Sequence, residues 1–254
     1  MPVALARRYR CGAVPVLAAA LLLCAGDSAS AQVPAALSEG TAPAAPGPTA
    51  LPAGAPPAVP LTPGAMALRE VAALLLGLDS FQADFEQTQE WVGMDAPAAA
   101  RGTLYLRRPN LFRIEYAQPK GHLQVSDGSR VWTWVPENGE VLLARLSDGP
   151  GGSSDPLRWV LETGRAEPGV VADTVDGGPS RCIVLVPGAG SGLKQVRLWT
   201  RPSSPDLIRY EYEDDGGNRT LYRLIRTQKN LALDAEFFRF TPPPGVPVVE
   251  LGSP

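Results

Sequence analysis

After one amphipathic helix, nearly every segment of this chain alternates polar and apolar residues with a period of two, or is rich in β-branched and aromatic residues, with turn signals at short intervals. No run of strand–helix–strand units follows, so the sheet should be antiparallel. The helix is read from Thr62-Pro63, an N-cap followed by a first-turn proline, and from Met66, Leu68, Val71, Ala72, Leu75 and Leu78 at helical spacing, ending near Gly77. Strands are expected at 81–91, 102–108, 112–116, 122–126, 130–135, 140–146, 170–175, 181–186, 195–200, 207–213 and 220–228. About eleven antiparallel strands with one large helix should curl around that helix into a barrel, closed or nearly so.

The hairpin at 102–116 carries the best clue to function. Alternate residues of a strand share a face, so Leu104, Leu106 and Arg108 point one way, and Phe112, Ile114 and Tyr116 form a second apolar row across Pro109-Asn110. An arginine ends an otherwise apolar face. Its five donors are costly to leave unpaired in a dry core. It suits either the rim of an apolar cavity that opens and closes or an edge position from which it reaches water. Two segments break the strand pattern: a Gly/Ser/Pro-rich loop at 147–154 and a short helix at 155–162, capped by Asp155 with Pro156 at its first position. Hinges flanking a short apolar helix describe a lid, or equally a permanent plug in a barrel end.

The ends of the chain are of a different kind. Arg7, Arg8 and Arg10 precede an apolar run at 13–23 that ends in Ser28-Ala29-Ser30-Ala31, so residues 1–31 read as a cleaved secretory signal peptide. Lipidation at Cys24 is disfavoured because Leu23 before it is not small. Residues 32–63 are a Pro/Ala-rich tether whose one charge is Glu39, too poor in large apolar side chains to build a core. Residues 64–254 then form one domain. The formal net charge of −3 becomes more negative once the basic leader is removed, and no basic tract is present. Nucleic acid and anionic lipid surfaces are thereby disfavoured as partners. Two of the three cysteines lie in the leader, so Cys182 has no partner for an internal disulfide and reads as a buried small hydrophobe.

Catalytic and metal-binding apparatus is not visible. The single histidine, His122, cannot build a multi-histidine metal site, no Gly-x-Ser-x-Gly elbow or phosphate loop occurs, and Glu211, Glu213, Asp214 and Asp215 read as edge and turn charges. Trp132, Trp134, Trp159, Phe112 and Tyr116 supply large apolar surface. No cofactor is expected, and a binding protein fits better than an enzyme.

Five stretches stand out: Ser80-Phe81-Gln82-Ala83-Asp84-Phe85-Glu86-Gln87; Gly102-Thr103-Leu104 running to Arg108-Pro109-Asn110-Leu111-Phe112; Gln118-Pro119; Val125-Ser126-Asp127-Gly128 with Trp132; and Phe238-Arg239-Phe240-Thr241-Pro242-Pro243-Pro244-Gly245-Val246. Together they resemble the periplasmic outer-membrane lipoprotein carrier proteins, the LolA family. The similarity spans roughly residues 65–250, is weak at 170–187, and does not extend to the tether. The resemblance implies an unclosed antiparallel β-barrel covered by helices that act as a lid over an apolar cavity for lipoprotein acyl chains. It implies a monomeric periplasmic carrier that does not span a membrane, with an inner-membrane ABC transporter as donor and an outer-membrane receptor as acceptor. The cavity and lid would comprise Leu75, Leu104, Leu106, Arg108, Phe112, Ile114, Tyr116, Trp132, Trp134, Val160 and Leu161. By the family's pattern Arg108 would bond backbone carbonyls near Leu75, Val160 and Leu161, with Phe112 near the cavity mouth. The alternatives are a lipid- or lipoprotein-sensing envelope regulator of the same fold, which would usually carry a second domain, and an envelope hydrolase.

Overall fold

The computed structural model describes residues 60–146, 161, 163–188 and 191–251. The expected leader, the tether up to residue 59, Val160 and most of the lid segment lie outside the described residues. Helix α1 spans Pro63–Leu76 and is followed by thirteen strands of one sheet. They are β1 (Ser80–Glu90), β2 (Ala98–Arg107), β3 (Leu111–Gln118), β4 (Leu123–Asp127), β5 (Arg130–Val135), β6 (Glu140–Arg145), β7 (Arg165–Ala166), β8 (Val171–Val175), β9 (Gly178–Val186), β10 (Leu193–Thr200), β11 (Leu207–Asp214), β12 (Arg219–Lys229) and β13 (Val248–Glu250). The order β13-β6-β5-β4-β3-β2-β1-β12-β11-β10-β9-β7, with β8 also beside β9, does not return on itself. The curved sheet is therefore unclosed. All eleven expected strands are present, and β7 and β13 are the additions. Every pairing is antiparallel except β13 with β6.

Helix α1 begins where Thr62 accepts a hydrogen bond from the Ala65 N–H (3.3 Å) and ends at Gly77. Its buried face is Gly64, Ala67, Leu68 and Val71. Met66 was expected in this stripe but is 52% exposed, because two positions from Leu68 is about 200° around the helix. The buried stripe packs with Ile183 and Leu185 of β9, Val196 and Leu198 of β10, Leu207 of β11, and Leu161. Gly64 permits the approach of the next segment: a Cβ there would lie 1.9 Å from the Glu167 carbonyl oxygen. The helix thus lines the concave face on the β9–β11 side.

On the convex face the polypeptide after β12 returns as a strap. Asp234 caps the short 3-10 turn Ala235–Phe238. The Phe237 ring lies 4.9 Å from that of Tyr105 and under the Arg113 guanidinium, Phe238 is fully buried, and Phe240 packs on Trp132 at 5.9 Å. The strap ends as β13 alongside β6. On the other half of this face Arg197 pairs with Glu211 (2.6 Å) and Lys194 with Glu213 (2.7 Å), so these carboxylates are cross-strand surface pairs. Cys182 is buried beside Val175 and Trp199, and burial pushes its thiol up to about 11.

Candidate functional site

At the mouth of the concave face the end of α1 meets the β2–β3 turn. Arg108 follows β2 directly. Its Nε donates to the Leu78 carbonyl (2.7 Å), its guanidinium Nη2 to the Leu75 carbonyl (2.8 Å), and its backbone N–H to the Asp79 carbonyl (2.9 Å). The last carbonyls of a helix have no intrahelical donor and carry the negative end of its dipole, so a cation is a favourable partner there. The half-buried Arg108 guanidinium is thus held by main-chain oxygens at the end of the helix.

Below these bonds lies a pocket of about 60 Å³ whose apolar wall includes Leu75, Leu78, Phe81, Leu106, Phe112 and Leu161. Phe112 is 6% exposed and pairs with Leu106 across the hairpin and with Ser126 of β4. The Ser126 hydroxyl donates to the Asn110 carbonyl (2.8 Å), fixing the turn that carries Arg108 and Phe112. The β1 side is anchored as well: the Ser80 hydroxyl donates to the Leu231 carbonyl (2.7 Å), and the Asp79 N–H to the Asn230 side chain (3.1 Å). Pockets for drug-sized ligands run to about 300–1,000 Å³. The pocket lined by these residues is thus much smaller than such a site.

Deeper on the same face, Leu104 and Ile114 pair and pack against Phe85, Tyr116 and Tyr222. The Tyr116 ring stands edge-on to Phe85 at 5.5 Å, and burial drives its hydroxyl well above the ordinary tyrosine range. Leu75, Leu106, Arg108, Phe112 and Leu161 therefore meet at one mouth, while Leu104, Ile114 and Tyr116 continue the same face inward. Trp132 and Trp134 do not belong to it. They pair with Val125 and Leu123, which pair with Arg113 and Glu115, so both tryptophans share the convex face, and Trp132 lies under the strap. Val160 lies outside the described residues.

The sequence reading did not single out Leu78 and Phe81 as mouth residues, nor Gln87, Gln89 and Gln124 on the concave face. A signal for the glutamines existed, since they occupy the apolar parity of Phe85 and Ile114. His122, also buried, is tied through Nε2 to Glu137 at 2.6 Å. Among the described residues no group of three His, Cys, Asp or Glu side chains could hold a metal ion, and no helix is long and apolar enough to cross a membrane.

A family profile described as "Outer membrane lipoprotein carrier protein LolA" matches residues 77–241. An outer-membrane lipoprotein carrier protein of Dechloromonas aromatica is 30% identical over 192 residues, covering 75% of this chain and 90% of the relative. One from Edwardsiella ictaluri is 31% identical over 170 residues, covering 66% and 80%. Among solved structures, a LolA-superfamily protein from Nitrosomonas europaea is 14% identical, covering 71% of this chain and 99% of that one, with a TM-score of 0.39.

Proposed function

The chain belongs to the family of outer-membrane lipoprotein carrier proteins, LolA, and from that premise we propose that it carries lipoproteins across the periplasm with their acyl chains held in the concave face of the sheet. The observation that carries the proposal is the apolar pocket beside which Arg108 hydrogen-bonds the carbonyls of Leu75 and Leu78 at the end of α1. Burial of each acyl methylene contributes about 0.8 kcal/mol, so a long chain left in water is unfavourable by an amount on the order of 10 kcal/mol. A pocket that shields such a chain must also release it. Polar bonds made only in the closed, empty form supply the opposing free energy, because they are given up on loading and regained on release.

In this reading Leu75, Leu106, Phe112, Val160 and Leu161 belong to the mouth and its cover, and Leu104, Ile114 and Tyr116 to the inner wall. Residues 1–31 export the chain, 32–63 tether it, and 64–254 form the carrier domain, monomeric and without enzymatic activity. An inner-membrane ABC transporter is the donor and an outer-membrane receptor the acceptor. Organic extraction of the protein purified from periplasm, followed by mass spectrometry, should recover acyl lipid or lipoprotein. Protein that is free of acyl lipid and accepts no lipoprotein from membranes would remove this reading.

A further inference from the structure

The concave face is not uniformly apolar. Gln87 and Gln89 of β1, Tyr116 of β3 and Gln124 of β4 are 2%, 3%, 5% and 3% exposed. Their amide nitrogens, the Gln87 amide oxygen and the Tyr116 hydroxyl are buried and have no hydrogen-bond partner among the described residues. Pairing fixes the side on which they lie. Gln87 is opposite Ala100 and Tyr222, Gln89 opposite Thr220, and Gln124 opposite Ile114, so all three share the face of Phe85, Leu104 and Tyr116. They form a band across β1–β4. It runs obliquely past the apolar row of Phe81, Leu106 and Phe112: Gln124 is level with Ile114, Leu104 and Ala83, Tyr116 with Gly102 and Phe85, and Gln87 lies about 20 Å along β1 from Phe81. Unpaired buried polar atoms are rare in native interiors, and four such side chains on one face of one sheet indicate a partner that is not always present.

We propose that this band, Gln87, Gln89, Tyr116 and Gln124, is a subsite for the carbonyl-bearing linkages of acyl lipids, the esters or amides that join an acyl chain to its carrier. The open valences are mainly neutral donors, which match neutral acceptors such as carbonyl oxygens. A charged headgroup would need a cation to offset its desolvation. The inference rests on the carrier reading and adds to it: the tails lie over the apolar rows, and the linkage is read by hydrogen bonds that a plain hydrocarbon cannot make. The same donors would accept esters of a protein-linked glyceride or of a free one.

The test compares dioctanoylglycerol with dioctylglycerol ether, its isostere without carbonyls, by calorimetric titration of the full-length mature protein. A diacylated lipopeptide run beside them separates protein-linked from free acyl esters by which binds more tightly. Wild-type protein should prefer ester to ether by about tenfold, the effect of one or two neutral hydrogen bonds. Gln87→Leu should collapse that preference, and so should Tyr116→Phe, which deletes one oxygen and keeps the ring against Phe85. Equal wild-type affinities for ester and ether, or a preference unchanged in both variants, would overturn the subsite. A lower melting temperature in the unliganded variants with an unchanged ester preference would do so too, by assigning these groups to the fold. Failure of the wild-type protein to bind any of the three probes would instead count against the carrier reading itself.

Discussion

Arg108 and Phe112 sit on opposite arms of one turn and, in the carrier reading, act in opposite ways on the apolar pocket they both line. Each of the two bonds from the guanidinium to main-chain carbonyls contributes about 1.5–3 kcal/mol before desolvation, and in the carrier reading both are given up on loading. Leucine at that position removes these bonds and adds apolar wall. The Arg108→Leu protein should therefore load cargo and retain it, with transfer to an acceptor slowed by at least about tenfold, as 1.4 kcal/mol implies. A transfer assay with radiolabelled lipoprotein checks this, and normal hand-over would return Arg108 to the role of an ordinary rim residue. Phe112→Glu acts from the other side by placing a carboxylate against the path of apolar chains. Circular dichroism should show a folded barrel and the same assay a marked loss of loading. Gly102 illustrates a residue whose reason is purely local. A Cβ there would lie 2.1 Å from the Glu115 carbonyl oxygen, next to the register shift between Arg101 and Gly102, so Gly102→Ala must displace β3 and should lower the melting temperature by several degrees.

At the scale of elements, the readable strands were those with one wet and one dry face. Strand β1 shows alternating burial along its length, and its period of two is plain in the sequence. The half of the sheet made of β4, β5 and β6 is different, because the strap covers its convex face. Val131, Thr133 and Val135 are buried on one side while Val125, Val141 and Leu143 are buried on the other, so apolar side chains no longer identify the cavity side. That is why Trp132 and Trp134 read as cavity wall from their size. Strands β7 and β13 were invisible for a simpler reason: two and three residues carry no period. The strap also gives the Phe-Arg-Phe stretch near the C-terminus a structural meaning. Phe238→Ala should cost about 3–5 kcal/mol by leaving a cavity under a fully buried ring. Trp132→Ala, on that same face, should lower stability yet leave acyl-probe affinity within about twofold of wild type, as a residue remote from the concave face must. A large loss of affinity in folded Trp132→Ala protein would return the tryptophan to the cavity.

For the whole molecule, the two ends of the helix are held in different ways. The first turns of α1 are fixed by apolar packing on β9–β11 and by the Gly64 N–H donating to the Pro168 carbonyl (3.0 Å), whereas its last turn is held to the β2–β3 turn by Arg108. In the carrier reading, opening at the mouth would give up the packing of Leu75 together with the Arg108 bonds, while Ala67, Leu68 and Val71 keep theirs. The polypeptide preceding α1 matters to this arrangement only through its final residues. The Thr62 hydroxyl caps the Ala65 N–H, and Pro63 occupies the first helical position, but residues 32–60 offer few apolar side chains with which to pack. A chain beginning at Leu61 should therefore melt within about two degrees of the mature protein, since it keeps both cap and proline. One beginning at Gly64 loses the cap, worth about 1 kcal/mol, and should melt about 2–4 °C lower. Calorimetry of the two chains beside the mature protein separates the cases. A large drop already at Leu61 would mean that the tether docks on the barrel and is part of its fold.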